Sequence, residues 1–188
     1  MKKMLLFAAA LFAVSTINAQ VTAYVGYSSI KSSKTIKNVP GTATGTDNGF
    51  IIQGDYNISL SDEFGVAPGL GLNFAFGDDD YKGIKAYIPI DFNYGVSVSD
   101  DIKLSAFVGP TLALGLSSKS KLGGVEVNYY DDDNISRFDI LLGFGCWLTF
   151  QEKYRLAFAY RKGMLDQNKT DVTTTKENLL TLTLGYTF

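Results

Sequence analysis

Six ionisable residues sit where alternate positions of proposed β-strands turn away from the apolar side: Asp55, Asp91, Asp139, Lys103, Arg155 and Arg161. A charge placed on the inner face of a closed sheet must find a partner or stay wet, because an isolated charge in a low-dielectric interior is costly. Counted from the nearest short turn, Asp55, Asp91 and Arg161 share a similar depth and Asp139 lies about four residues higher, roughly 13 Å of strand. Arg161 is therefore expected to pair with Asp91 or Asp55. Such a set either lines a narrow gated pore or plugs the lumen; the narrow bore of eight strands favours the plug.

Other chemistry is scarce. The 188 residues contain no histidine, the side chain that carries protons near neutral pH in most hydrolytic and acyl-transfer sites. No Ser/Lys or paired-carboxylate signature replaces it, so no catalytic residue, cofactor or metal site is expected and the chain reads as a non-enzyme. Two acidic runs, "GDDDYKG" (77–83) and "YYDDDN" (129–134), lack the spacing of a calcium loop and read as solvated loops. Cys146 is the only cysteine, so no internal disulfide forms.

The elements that would position these residues follow from the rest of the chain. "MKKMLLFAAALFAVSTINA" (1–19) has the basic, apolar and small-residue parts of a secretory signal peptide, leaving 20–188 as one barrel domain. Without Lys2 and Lys3, 15 basic residues face 19 acidic ones, a net charge of −4, which offers no basic face for nucleic acid. No later run is long enough for a transmembrane helix, although 46% of the chain is hydrophobic.

Eight alternating segments are predicted as strands: 21–30, 49–60, 64–77, 84–98, 102–116, 136–150, 154–165 and 178–188. In the fourth, Ala86, Ile88, Ile90, Phe92, Tyr94, Val96 and Val98 oppose Lys85, Tyr87, Pro89, Asp91, Asn93, Gly95 and Ser97. The polar faces are built from small residues and the apolar faces from bulky ones, which suits a cramped polar lumen inside lipid. Short turns at 61–63, 99–101 and 151–153 alternate with long loops at 31–48, 78–83, 117–135 and 166–177. Pro68, Pro89 and Pro110 fall inside these strands, where bulges or ladder breaks are expected.

The last residues, "LTLTLGYTF", place Leu180, Leu182, Leu184, Tyr186 and Phe188 at alternate positions. This resembles the C-terminal assembly signal of bacterial outer-membrane barrels, and the chain as a whole resembles the small OmpX and OmpA-membrane-domain type. The resemblance implies an all-β, eight-stranded antiparallel up-and-down barrel in the bacterial outer membrane, with both termini in the periplasm and the long loops outside. It also implies outer-membrane lipid and the barrel-insertion machinery as partners. Such barrels act as adhesins, envelope stabilisers, narrow channels or parts of export complexes. Display of loops 31–48 and 117–135 to a surface ligand or protein partner is the leading expectation; a narrow passive channel and an accessory subunit of an export or assembly complex are the alternatives. The lysines of the first loop, Lys31, Lys34 and Lys37, offer contacts to an anionic sugar.

Overall fold

The computed structural model describes residues 19–37, 39–77, 81–122, 125–131, 135–168 and 172–188. Residues 1–18 of the expected signal peptide lie outside them, as do 78–80 of the first acidic run and 132–134 of the second.

Among the described residues nine strands form: β1 (Ala19–Ile36), β2 (Thr42–Ser59), β3 (Phe64–Phe76), β4 (Lys82–Ser99), β5 (Ile102–Leu122), β6 (Val125–Asn128), β7 (Phe138–Phe150), β8 (Tyr154–Gly163) and β9 (Thr173–Thr187). Every pairing is antiparallel. Eight strands, all but β6, close a ring through the β1–β9 and β4–β5 ladders. Closure leaves no sheet edge in the wall, which is how β-structure satisfies its backbone in lipid. Short β6 rides on the upper end of β5, with Leu122 opposite Val125.

The polarity of the ring is inverted relative to a water-soluble barrel. Bulky apolar residues point outward, with Val98 and Leu184 each 66% exposed, while Thr22, Asn73, Asp91, Thr111 and Arg161 are buried inside. A continuous apolar exterior of this size is stable only against another apolar phase. The described residues contain no helix long and apolar enough to cross a membrane; the strands do the crossing.

The short turns fall at 60–63, 100–101 and 151–153, as the sequence indicates. Gln151 and Glu152 both take positive φ (50° and 58°), and Lys153 N–H donates to the Phe150 carbonyl at 3.1 Å. This is the mirror-image turn whose twist fits a tight hairpin.

Three boundaries differ from the sequence expectation in the same direction. β1 continues to Ile36, β2 starts at Thr42 and β9 starts at Thr173, so most of the long loop at 31–48 and the last part of that at 166–177 are strand. The loop at 117–135 likewise holds the end of β5 and all of β6. These extensions are Ser- and Thr-rich; they leave the apolar alternation behind, yet backbone pairing continues without it.

Each strand proline marks a break in one ladder with register kept on either side. β2–β3 pairing lapses between Asp55↔Gly69 and Ile58↔Val66 beside Pro68; β3–β4 lapses between Pro68↔Ile90 and Gly71↔Tyr87 beside Pro89; β4–β5 lapses between Pro89↔Thr111 and Phe92↔Val108 beside Pro110. A residue without an N–H can serve only one of its two neighbours. Gly109, next to Pro110, lets the Ile90 carbonyl oxygen approach where any Cβ would collide.

Candidate functional site: a closed polar lumen

The lumen is filled by alternating charged and apolar layers. Near the short-turn end, Arg155 from β8 reaches Tyr24 on β1 and Asp55 on β2. Its Nη1 donates to the Tyr24 hydroxyl at 2.7 Å, and that hydroxyl donates to Asp55 Oδ2 at 2.6 Å. Arg155 Nη1 stands 3.7 Å from Asp55 Oδ1.

Six residues further along β8, about 20 Å of strand, Arg161 meets Asp91 of β4 across the bore. The pair is bidentate: Nη1 to Oδ1 at 3.0 Å and Nη2 to Oδ2 at 2.7 Å, with a third bond from Nη1 to Thr111 Oγ1 at 2.7 Å. A planar guanidinium matched to a carboxylate in this way is the strongest common side-chain ion pair. Gly143 makes room for it, because the Arg161 side chain lies where a Cβ would project.

Between the two arginines the space is stacked. Arg155 lies over the Trp147 ring at 4.9 Å, Trp147 stacks on Phe107 at 4.9 Å, and Arg161 sits over Phe107 at 5.7 Å. Both cations therefore keep an aromatic face as well as a carboxylate. Above Arg161 an apolar ring that includes Ile30, Ile51, Leu141 and Leu179 fills the bore.

A third polar layer closes the long-loop end. Lys85 pairs with Glu177, and Gln167 donates to Glu177 at 3.0 Å and to Asp139 at 3.4 Å. Asp139 also accepts the Leu165 N–H at 3.0 Å. Tyr130 folds in from the turn after β6 and packs against Gly115, with its carbonyl accepting from Arg137 Nη2 at 2.9 Å. The residual cavity here is about 10 Å³, no more than one water fills. At the opposite end a polar vestibule of about 200 Å³, lined by Asn57, Asn93, Lys103, Thr149 and Arg155 among others, opens outward and stops at Arg155.

Of the six ionisable residues singled out by alternation, five lie buried in the lumen. The structure joins Arg161 to Asp91 and Arg155 to Asp55, and puts Asp139 in the upper layer. Lys103 differs: it is exposed at the short-turn rim and donates to the Asp62 carbonyl at 3.0 Å. Its strand position is too close to the turn for a buried place, and its long stem carries the charge out to water.

Sequence reasoning passed over Lys85, Glu177, Tyr24, Gln167 and Tyr130. Lys85 already stood on the inward parity of β4. Glu177 falls in the expected loop at 166–177, one residue before the expected start of the last strand. No group of His, Cys, Asp and Glu that could hold a metal occurs among the described residues.

Comparisons with known proteins agree with this architecture. Several solved structures are similar to the chain. Neisserial surface protein A is 14% identical, with 88% of this chain and 97% of that chain covered at a TM-score of 0.52. The outer membrane enzyme PagL is also 14% identical, with 90% and 98% covered at 0.50. Ail of Yersinia pestis, its attachment invasion locus protein, is 15% identical, with 92% and 100% covered at 0.47. No curated protein sequence matches the chain. The family model for the outer membrane protein β-barrel domain matches residues 4–188, and the chain belongs to that family.

Proposed function

We propose that this barrel is a non-enzymatic surface protein that displays its long-loop hairpins for adhesion, envelope stabilisation or partner binding, with both termini in the periplasm. The observation that carries the reading is the column Arg155–Trp147–Phe107–Arg161, braced by Asp55 and Asp91, which leaves no continuous bore. What remains available to partners is the upper rim. There β1 and β2 stay paired up to Thr35↔Thr42, whereas β2–β3 pairing begins only at Asn48↔Phe76. The edge from Thr42 to Thr46 therefore stands above β3 with no second strand paired to it among the described residues, the geometry that strand-adding partners use. The lack of histidine supports a non-catalytic role.

A narrow channel is the second reading, favoured by the vestibule that ends on Arg155. Single-channel recording in a planar bilayer separates the two. The display reading expects a silent wild type and an Arg161→Ala variant that stays silent too, because the apolar ring above it and the Arg155 layer below still fill the bore. Steady conductance of the wild type, altered by the substitution, would make the lumen itself the functional site.

A further inference from the structure

Besides the lumen, one patch of the outer wall gathers cations from three separate chain segments. Lys31 of β1 and Lys162 of β8 are both directly opposite Asn178 of β9, on either side of it. Lys176 stands one step higher on the same face of β9, beside Ser33. All three lysines are exposed. Among the described residues none lies within ion-pairing distance of a carboxylate, although the Lys176 charge acts on the Asp166 carboxyl at longer range.

Below this row the wall turns mostly apolar, with Ser29 beneath Lys31 on β1. A groove of about 270 Å³ runs between Tyr27, Lys31, Thr46, Tyr160, Asn178 and Leu180. The Asn178 Oδ1 atom is buried and has no hydrogen-bond partner. A buried acceptor without a donor is an unfilled requirement. Three cations over an apolar floor, with one unpaired acceptor between them, match an amphiphile whose head carries phosphate and a hydroxyl or amide N–H, and whose tail runs down the wall.

We propose that this groove binds one phosphorylated glycolipid of the outer leaflet. Its phosphate lies among Lys31, Lys162 and Lys176, a head-group donor reaches Asn178, and an acyl chain lies along Tyr27, Leu180 and Tyr160. Placement in the outer leaflet rests on the orientation given above, but the binding itself does not. Each lysine close to an anionic lipid contributes about a fivefold gain in binding.

The test is native mass spectrometry of the refolded barrel released from detergent micelles, titrated with lipid A. The wild type is expected to retain one lipid A molecule. The Lys31→Gln/Lys162→Gln variant should bind it about tenfold or more weakly, and Lys153→Gln, at the short-turn end, should match the wild type. Heat-modifiable gel migration confirms that each variant is folded; Lys176→Gln replaces the double variant if that one fails to close. Equal retention of lipid A stripped of its phosphates would overturn the proposal, as would wild-type binding by the double variant. Displacement of lipid A by millimolar inorganic phosphate would reduce the patch to an ion site and overturn the lipid assignment. None of these results bears on whether the lumen conducts.

Discussion

Arg161 and Asp91 illustrate what a buried ion pair contributes at the scale of single residues. Two charges removed from water recover that cost only through tight geometry and satisfied remaining donors, and here Thr111 takes the third bond. Removing one partner leaves the other charge stranded, so Asp91→Ala is expected to lower stability by about 3–5 kcal/mol. Urea unfolding followed by heat-modifiable gel migration measures it. Converting both, Arg161→Met with Asp91→Leu, should restore most of the loss, since a well-packed apolar pair replaces the ion pair at little net cost. An equal loss in the single and double variants would show that the pair is not what holds the middle layer. The position of this pair was legible in the sequence because Asp91 and Arg161 both follow period two. Lys85–Glu177 was equally important and was not, because Glu177 enters the lumen only once β9 is known to begin at Thr173.

At the scale of elements, the connections carry the local tension. The β7–β8 turn holds Gln151 and Glu152 in the left-handed region, where each ordinary L-residue costs roughly 1–2 kcal/mol. Replacing the two by Asn-Gly, the dipeptide this turn prefers, should raise stability by about 1–2 kcal/mol in the same urea assay. An unchanged midpoint would mean that barrel closure, not the turn, limits stability.

The β8–β9 connection is held by Asp166, whose Oδ1 accepts the N–H groups of Thr175 at 2.8 Å and Asn168 at 2.9 Å. Slight burial pushes the Asp166 carboxyl up, but those two N–H groups, the Thr174 hydroxyl and Lys176 outweigh it and hold it below the usual carboxylate range. A carboxyl depressed in the folded state stabilises the loop above its unfolded pKa, and that contribution is lost as pH falls through the folded one. The amide shifts of Thr175 and Asn168 in NMR should therefore titrate together with a midpoint below the ordinary carboxylate range. Asp166→Asn should abolish that titration; a midpoint at or above the ordinary range would contradict the clamp.

For the whole molecule the decisive event is closure, and β9 performs it by pairing with β1 and β8 at once. Its lower end brings Tyr186 opposite Ala23 and Tyr154, and the Phe188 N–H donates to the Val21 carbonyl at 2.9 Å. The alternating Leu180, Leu182, Leu184, Tyr186 and Phe188 side chains are proposed to guide assembly as well as to face lipid. Replacing both Tyr186 and Phe188 by Ser should leave the protein unable to reach the membrane fraction in cells, while refolding into detergent still proceeds. Normal insertion of that variant would remove the assembly role.

Period-two alternation by itself determined the eight barrel strands, their faces, the short turns and five of the inward charges, because a membrane wall imposes one rule on every strand: bulky and apolar outside, small or paired polar inside. That rule ends where the lipid ends. The Ser- and Thr-rich continuations of β1, β2 and β9, the β6 hairpin and the Tyr130 cover follow backbone pairing and rim packing, which leave no periodic trace in side-chain type. Only the tertiary structure set Lys31 beside Lys162 and Lys176, or chose Asp91 over Asp55 for Arg161. Those neighbours are fixed by the register between strands distant in sequence, and register is a property of the closed ring.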